Sequence, residues 1–224
     1  MIPRVVHFIW MTGQLSRLED PLPDEVEERL DEWRRLNSSL EIVCWSWEDF
    51  RDLVSVDEEG RRVLAAVQSC RLIAMKSDIM RLEILRRLGG VWSDMKNKPQ
   101  FDFISELPLK QDGFLVEHWP FPKKQDTRNF FSNSLFGCAP QNGFISESLQ
   151  FSLERVEEKA SGETIPFLTG GGVFTRLFKR DPAGVAAVVK ADVCWGGWIV
   201  RKAMSYNAGS KHWSVRQKTE PLYW

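Results

Sequence analysis

The stretch from Ala74 to Pro99, AMKSDIMRLEILRRLGGVWSDMKNKP, decides the fold predicted for this chain. Its first part carries apolar residues at helical spacing and ends at Gly89-Gly90, a pair typical of a helix stop. The apolar residues that follow predict a short strand from Gly90 to Ser93, which ends on the acidic turn Asp94-Met95-Lys96. A helix that leads directly into a strand is a building unit of α/β sheets.

The chain on either side alternates between strand and helix patterns. Val5 to Trp10 (VVHFIW) and Leu40 to Trp45 predict strands, and Asp24 to Leu36 predicts a helix between them. This alternation predicts an α/β fold with a Rossmann-like, largely parallel central sheet flanked by helices, and no linker interrupts a single domain over residues 1–224. Further predictions are strands at Gly113–Trp119 and Asn129–Cys138, a helix at Phe144–Lys159, and a weakly helical or irregular segment at Pro182–Val189.

The composition excludes several classes of partner. With 30 basic and 31 acidic residues the net charge is −1, so no global field favours nucleic acid or an anionic membrane. No run approaches the roughly 20 apolar residues of a transmembrane helix, and the N-terminus does not have the pattern of a secretion signal. We therefore expect a cytoplasmic protein.

The turn after the predicted Gly90–Ser93 strand is the first candidate site. In open α/β sheets, ligands bind beyond the carboxyl ends of the strands. In extended geometry Asp94 and Lys96 share a face, with Lys98 following. The carboxylate suits sugar hydroxyls or a divalent cation, and the ammonium suits phosphate. An exposed polar turn after an edge strand is the alternative.

Asp78 and Arg81 are the second candidate pair. Their i, i+3 spacing places the two side chains next to each other on one face of the predicted helix. They form either an ordinary surface ion pair or, because this helix leads into the Asp94 strand, part of a shared site.

These motifs resemble the DXD-containing glycosyltransferases, a family of bacterial capsular-polysaccharide and yeast mannosyltransferase-type enzymes that shares features with large clostridial glucosylating toxins. The family pattern is an I-P-x-x-x-H-x-I-W strand followed by S-D-x-x-R…L…G-G-x-Y-x-D-x-D. The corresponding segments here are IPRVVHFIW and SDIMRLEILRRLGGVWSDMK. Later elements resemble the family at Asn133, in the turn Thr169-Gly170-Gly171-Gly172, and at Lys211-His212-Trp213-Ser214.

The resemblance implies a GT-A fold, a UDP- or GDP-sugar donor, a carbohydrate acceptor and transfer with retention of anomeric configuration. By position, Trp10 and its neighbour Ile9 line the nucleobase pocket, and Asp78 and Arg81 bind hydroxyls of the donor sugar. Asp94 contacts ribose, sugar or metal. The other substrate-binding residues implied are Trp92, Asn133, Gly171, His212 and Trp213.

Lys96 is the main departure from the family pattern. It replaces the second carboxylate of D-x-D, usually the closest ligand of Mn²⁺ or Mg²⁺. A lysine repels such a cation but supplies positive charge to phosphates itself. We therefore expect weak or absent metal dependence, with Asp94 and Lys96 as the catalytic pair. A weaker alternative is a metal held by Asp94 and His212.

Two functions follow from the sequence. The first is a nucleotide-sugar-dependent hexosyltransferase that makes polysaccharide or a bacterial surface glycan, such as capsule. The alternative is a catalytically silent sugar-nucleotide-binding protein, because the D-x-D motif is degenerate. The ten tryptophans suit sugar recognition, and those flanking motifs are predicted near the site: Trp10, Trp92, Trp119 and Trp213.

Overall fold

A six-stranded sheet lies at the centre of the computed structural model, which describes residues 1–11, 21–118, 131–205 and 212–224. The strands in the described residues are β1 (Val5–Ile9), β2 (Glu41–Trp45), β3 (Gly90–Ser93), β4 (Asn97–Pro99), β5 (Gly113–Glu117), β6 (Phe131–Cys138), β7 (Ala187–Val189) and β8 (Ile199–Arg201). The helices are α1 (Asp24–Leu36), α2 (Trp47–Val54), α3 (Glu58–Ser69), α4 (Ile73–Leu88), α5 (Gly143–Glu157), α6 (Ile165–Leu168), α7 (Gly171–Arg180), α8 (Ala191–Cys194) and α9 (Trp213–Arg216).

The strand order in the central sheet is β2-β1-β3-β6-β5-β7. Strands β2, β1 and β3 are parallel, β6 is antiparallel to both of its neighbours, and β7 is parallel to β5. Five strands therefore point the same way, which confirms the predicted α/β fold with a mostly parallel sheet. Because β6 runs in the opposite direction, its first residues lie at the edge where β1 and β3 end.

Apolar residues from helices on both faces of the sheet form the core. One cluster contains residues of the helices from α2 through α7, such as Phe50, Ile79 and Phe174. The other contains Trp33 of α1 together with Phe103 and Trp198. No helix in the described residues is long and apolar enough to span a membrane.

The connection from α4 to β3 depends on two glycines with positive φ, 66° at Gly89 and 99° at Gly90. A Cβ at Gly90 would lie 2.7 Å from Cγ1 of Val5 and 2.8 Å from Nε2 of His7. This close approach lets His7 donate from Nε2 to the Gly89 carbonyl (3.0 Å) while Nδ1 accepts from the Trp45 indole. His7 is therefore a core residue that fixes the start of β3.

Two predictions for secondary structure were incomplete. The segment predicted as weakly helical or irregular, Pro182–Val189, contributes β7 to the edge of the central sheet. A separate two-stranded sheet pairs β4 with β8, so the chain after Lys96 turns into a strand. Strands of three residues are too short to produce a recognisable period in the sequence.

Candidate active site

A cavity of about 930 Å³ lies at the edge where β1 and β3 end. The end of β1, the turn after β3, the start of β6 and the first turns of α4 form its walls, and the C-terminal segment closes another side. The cavity brings together the residues that the sequence assigned to the catalytic pair and to substrate binding: Ile9, Trp10, Asp78, Arg81, Trp92, Asp94, Lys96, Asn133, Gly171, His212 and Trp213.

Arg81 of α4 is the centre of the hydrogen-bond network in this cavity. Its Nη1 donates to Oδ1 of Asp94 (3.0 Å) and to the carbonyl of Asn133 (2.5 Å). Its Nη2 lies 3.2 Å from Oδ1 of Asp78, and the guanidinium lies 4.8 Å from the ring centre of Trp92. The Arg81 side chain is only 7% exposed, so the surface ion pair considered from the sequence is wrong. The contacts hold the two carboxylates in fixed positions.

Asp78 connects α4 to two distant parts of the chain. Its Oδ1 accepts from Nδ2 of Asn133 (2.7 Å), and its Oδ2 accepts from Oγ1 of Thr169 (2.9 Å). A Cβ at Gly170 would lie 3.3 Å from Oδ2 of Asp78 and 3.0 Å from Cα of Pro166. The turn between α6 and α7 therefore needs its small residue to approach the carboxylate. Burial raises the pKa of Asp78 to about 6, although the Arg81 charge opposes this.

We expect Asp78→Asn to change the pH dependence of stability. Between about pH 4, near the ordinary pKa of an aspartate, and about pH 6, the folded chain holds a proton on Asp78 that the unfolded chain has released. The contribution of Asp78 to the free energy of unfolding therefore falls as pH rises through this window. Asparagine mimics the protonated acid and does not titrate. Denaturant unfolding at both ends of the window should show the wild type losing stability relative to the variant; a difference that is constant or opposite in sign would contradict the assignment.

The turn after β3 brings Asp94 and Lys96 together. The amide of Asn97 donates to the Asp94 carbonyl (2.9 Å), and Nζ of Lys96 lies 3.2 Å from Oδ2 of Asp94. The indole of Trp92 donates to Oδ1 of Asp94 (3.1 Å). Burial acts to raise the pKa of Asp94, but the charges of Arg81 and Lys96 outweigh it, so this pKa lies below its usual value. The carboxylate is therefore ionised and surrounded by cations.

The described residues do not fit a divalent cation at this position. Oδ1 of Asp94 already accepts from Arg81 and Trp92, and Oδ2 pairs with Lys96. Within the described ranges, no group of three His, Cys, Asp or Glu residues has a metal-binding arrangement. Arg81 and Lys96 both contact the Asp94 carboxylate, and their positive charges repel a divalent cation that would bind there.

The C-terminal segment supplies His212 and Trp213 to the cavity. Its last residues are held in place: the amide of Arg71 donates to the Leu222 carbonyl (2.8 Å), and that of Trp224 donates to the Ser69 carbonyl (3.0 Å). The segment is thus anchored at one end and lines the site at the other. Lys211, which begins the motif at this segment, lies outside the described residues.

Some cavity residues were not identified from the sequence, and one was misassigned. Arg201, at the end of β8, lines the cavity but follows an apolar run without a recognisable motif. Ser77, the first residue of the S-D-x-x-R match, was given no role from the sequence, yet its hydroxyl accepts from Nη2 of Arg81 (2.9 Å). Lys98 does not join Asp94, because its Nζ pairs with Glu32 of α1. Trp119 lies outside the described residues.

Comparison with known proteins supports the resemblance. Residues 23–108 match a family model described as "glycosyltransferase sugar-binding region containing DXD motif". No curated protein matches the chain. Among solved structures, the PaToxG glycosyltransferase superposes with a TM-score of 0.56 at 15% identity, covering 81% of this chain and 70% of that one. The UDP-bound glycosyltransferase domain of the YGT toxin gives 0.52 at 11% identity, covering 99% of this chain and 82% of that one. The fold is GT-A-like.

Proposed function

We propose that this chain is a glycosyltransferase that moves a sugar from a nucleotide-sugar donor to a carbohydrate acceptor. The observation that carries the proposal is the cluster of buried Asp78 and Arg81 with partly buried Asp94 in the cavity at the carboxyl edge of the sheet. The matched family region contains all three residues. The UDP-bound state of a similarly folded domain supports a nucleotide-sugar donor.

The proposed roles follow from the chemistry of each group. Asp78 and Asp94 accept hydrogen bonds from donor hydroxyls, and Arg81 holds both carboxylates in position. Ile9 and Trp10 form an apolar wall suited to a nucleobase. Sequence resemblance further supports retention of anomeric configuration, use of a hexose and a role in surface-polysaccharide synthesis. The composition and pattern of the sequence support a cytoplasmic location and one domain over residues 1–224.

In the transfer step, the bond between the anomeric carbon and the phosphate oxygen breaks, and its electron pair remains on the diphosphate. The acceptor hydroxyl oxygen forms the new bond to the anomeric carbon, and its proton passes to the departing diphosphate or to water. Positive groups near the diphosphate stabilise the charge that develops there. Lys96, whose Nζ is only 3.2 Å from Asp94, is positioned to supply part of that charge.

Activity in EDTA tests the role of Lys96. Because Lys96 stands where a metal-binding carboxylate would be and contacts Asp94, we expect most of the transfer rate to persist without divalent ions. The measurement is nucleoside diphosphate release in EDTA and in Mn²⁺. Complete loss of activity in EDTA, restored by Mn²⁺, would contradict this role.

A thermal-shift screen tests donor binding. A ligand that binds only the folded state raises the unfolding temperature by mass action. We expect one class of UDP- or GDP-sugar to raise it, with and without Mn²⁺, and the free sugar to have little effect. Absence of a shift with every sugar nucleotide at saturating concentration would count against the proposal.

The second candidate function is a silent sugar-nucleotide-binding protein, and Lys96 is the observation that favours it. Both functions predict a thermal shift, so binding does not separate them. Release of nucleoside diphosphate does, because a silent protein binds the donor and leaves it intact.

A further inference from the structure

Three nitrogen donors from separate segments line one cavity. Lys96 lies in the turn between β3 and β4, Arg201 ends β8, and His212 begins the C-terminal segment. The small sheet fixes the first two relative to each other: Asn97 pairs with Arg201, and the amide of Lys202 donates to the Lys96 carbonyl (2.9 Å). Arg201 is therefore held beside the Asp94-Lys96 turn by backbone hydrogen bonds.

Arg201 is the least neutralised cation of the cavity. Arg81 and Lys96 share Asp94, and Arg216 pairs with Glu220 (2.7 and 2.8 Å). For Arg201, by contrast, no carboxylate of the described residues lies within ion-pair distance; its guanidinium lies 5.8 Å from the ring centre of Trp195. An aromatic face orients a guanidinium without cancelling its charge.

The three groups are close enough to act on one another electrostatically. Burial lowers the pKa of Lys96; Asp94 opposes this, and the charge of Arg201 lowers the pKa further. Burial and the charges of Lys96 and Arg201 likewise lower the pKa of His212. Like charges held together in a partly enclosed cavity produce a positive potential that an anion relieves.

His212 contributes a donor without needing a charge. Its Nδ1 accepts from the backbone N–H of Ser214 (3.2 Å) and lies 2.7 Å from the Ser214 hydroxyl. The ring proton of the neutral imidazole is therefore on Nε2, which acts as a donor.

We propose that Lys96, Arg201 and His212 form a metal-free binding site for a diphosphate. Lys96 supplies a point charge, Arg201 a two-pronged donor that matches phosphate oxygens, and His212 a neutral N–H. The site takes the place that a divalent cation and carboxylates would fill, and the engaged oxygens of Asp94 explain why a cation does not fit. The inference rests on the proposed function for its biological ligand, the diphosphate of the donor.

Calorimetric titration with inorganic pyrophosphate in EDTA tests this site. Arg201→Gln removes an exposed side chain without an ion pair, so folding should be unaffected, and Lys202→Gln is a matched control one residue away on an exposed side chain outside the cavity. We expect pyrophosphate to bind the wild type without metal. Loss of one charge-assisted contact should weaken binding about tenfold or more in Arg201→Gln and little in Lys202→Gln. Lys96→Gln should weaken it similarly.

Three results would overturn the inference. Arg201→Gln could bind pyrophosphate as tightly as wild type, Arg201→Gln and Lys202→Gln could lose affinity equally, or pyrophosphate binding could require Mn²⁺. The proposed function can fail separately. Tight pyrophosphate binding that depends on Arg201, with no turnover of any sugar nucleotide, would leave the site standing and remove the transferase. Turnover of a sugar nucleotide that is unaffected by Arg201→Gln, with pyrophosphate affinity also unchanged in that variant, would leave the transferase standing and remove the site.

Discussion

Arg81→Met is expected to lower the free energy of unfolding by about 3–5 kcal/mol, the range for removing one partner of a buried ion pair. Arg81 contacts Asp78, Asp94 and the Asn133 carbonyl, and its side chain is 7% exposed. Without the guanidinium, Lys96 is the one cation in the described part of the chain that still contacts either buried Asp78 or partly buried Asp94. Methionine keeps much of the packing, so the loss reports chiefly the charge and the hydrogen bonds.

Urea unfolding of wild type, Arg81→Met and Arg34→Met measures this effect. Arg34 pairs with Asp31 at a similar distance, 2.8 Å, and has the same i, i+3 type of spacing as Arg81 with Asp78, but the two side chains are 52% and 72% exposed. Its loss should cost less than about 1 kcal/mol. Similar losses for both variants would show that the Arg81 cluster is an ordinary surface arrangement.

Asp94→Ala is expected to lower the rate of nucleoside diphosphate release by a factor of about 100 or more, the usual effect of removing one preorganised polar group from an active site. Asp94 accepts from Arg81 and Trp92 and holds Lys96 at 3.2 Å. Removing it takes away a contact with the sugar donor and releases Lys96 from its position, whereas Arg81 keeps Asp78 and the Asn133 carbonyl. Turnover should fall more than donor affinity.

Steady-state kinetics at a temperature where each variant is folded separate these effects, with Asp31→Ala as the control. Asp31 is an exposed aspartate outside the cavity, and its removal should leave kcat unchanged. A kcat for Asp94→Ala within a few-fold of wild type would exclude Asp94 from the chemistry.

The sequence predicted that Asp78, Arg81 and Asp94 lie together in the candidate site because these residues are close along the chain. Asp78, Arg81 and Asp94 belong to one helix-turn-strand unit whose geometry is set by helical spacing, two glycines and a short strand. The same local rules predicted the parallel half of the sheet. In this unit the motif and the periodic pattern coincide, so local sequence is enough to predict where the three side chains lie.

The rest of the site depends on long-range contacts that leave no local pattern. Arg201 reaches the cavity because β8 pairs with β4, about a hundred residues away along the chain, and both strands have only three residues. Lys98 was assigned to the site by alternation, but the pairing of β4 turns its side chain towards Glu32. The burial of Asp78 and Arg81 likewise depends on Asn133 and Thr169, which tertiary packing brings to them.

Release of nucleoside diphosphate from a panel of UDP- and GDP-sugars tests the central claim most directly. Wild type and Asp94→Ala would be incubated with each donor in EDTA and in Mn²⁺, and the released nucleotide quantified. The account predicts that wild type turns over at least one donor, retains most of that rate in EDTA, and exceeds Asp94→Ala by about 100-fold. Rates for wild type that equal those of Asp94→Ala with every donor, in both conditions, would contradict it.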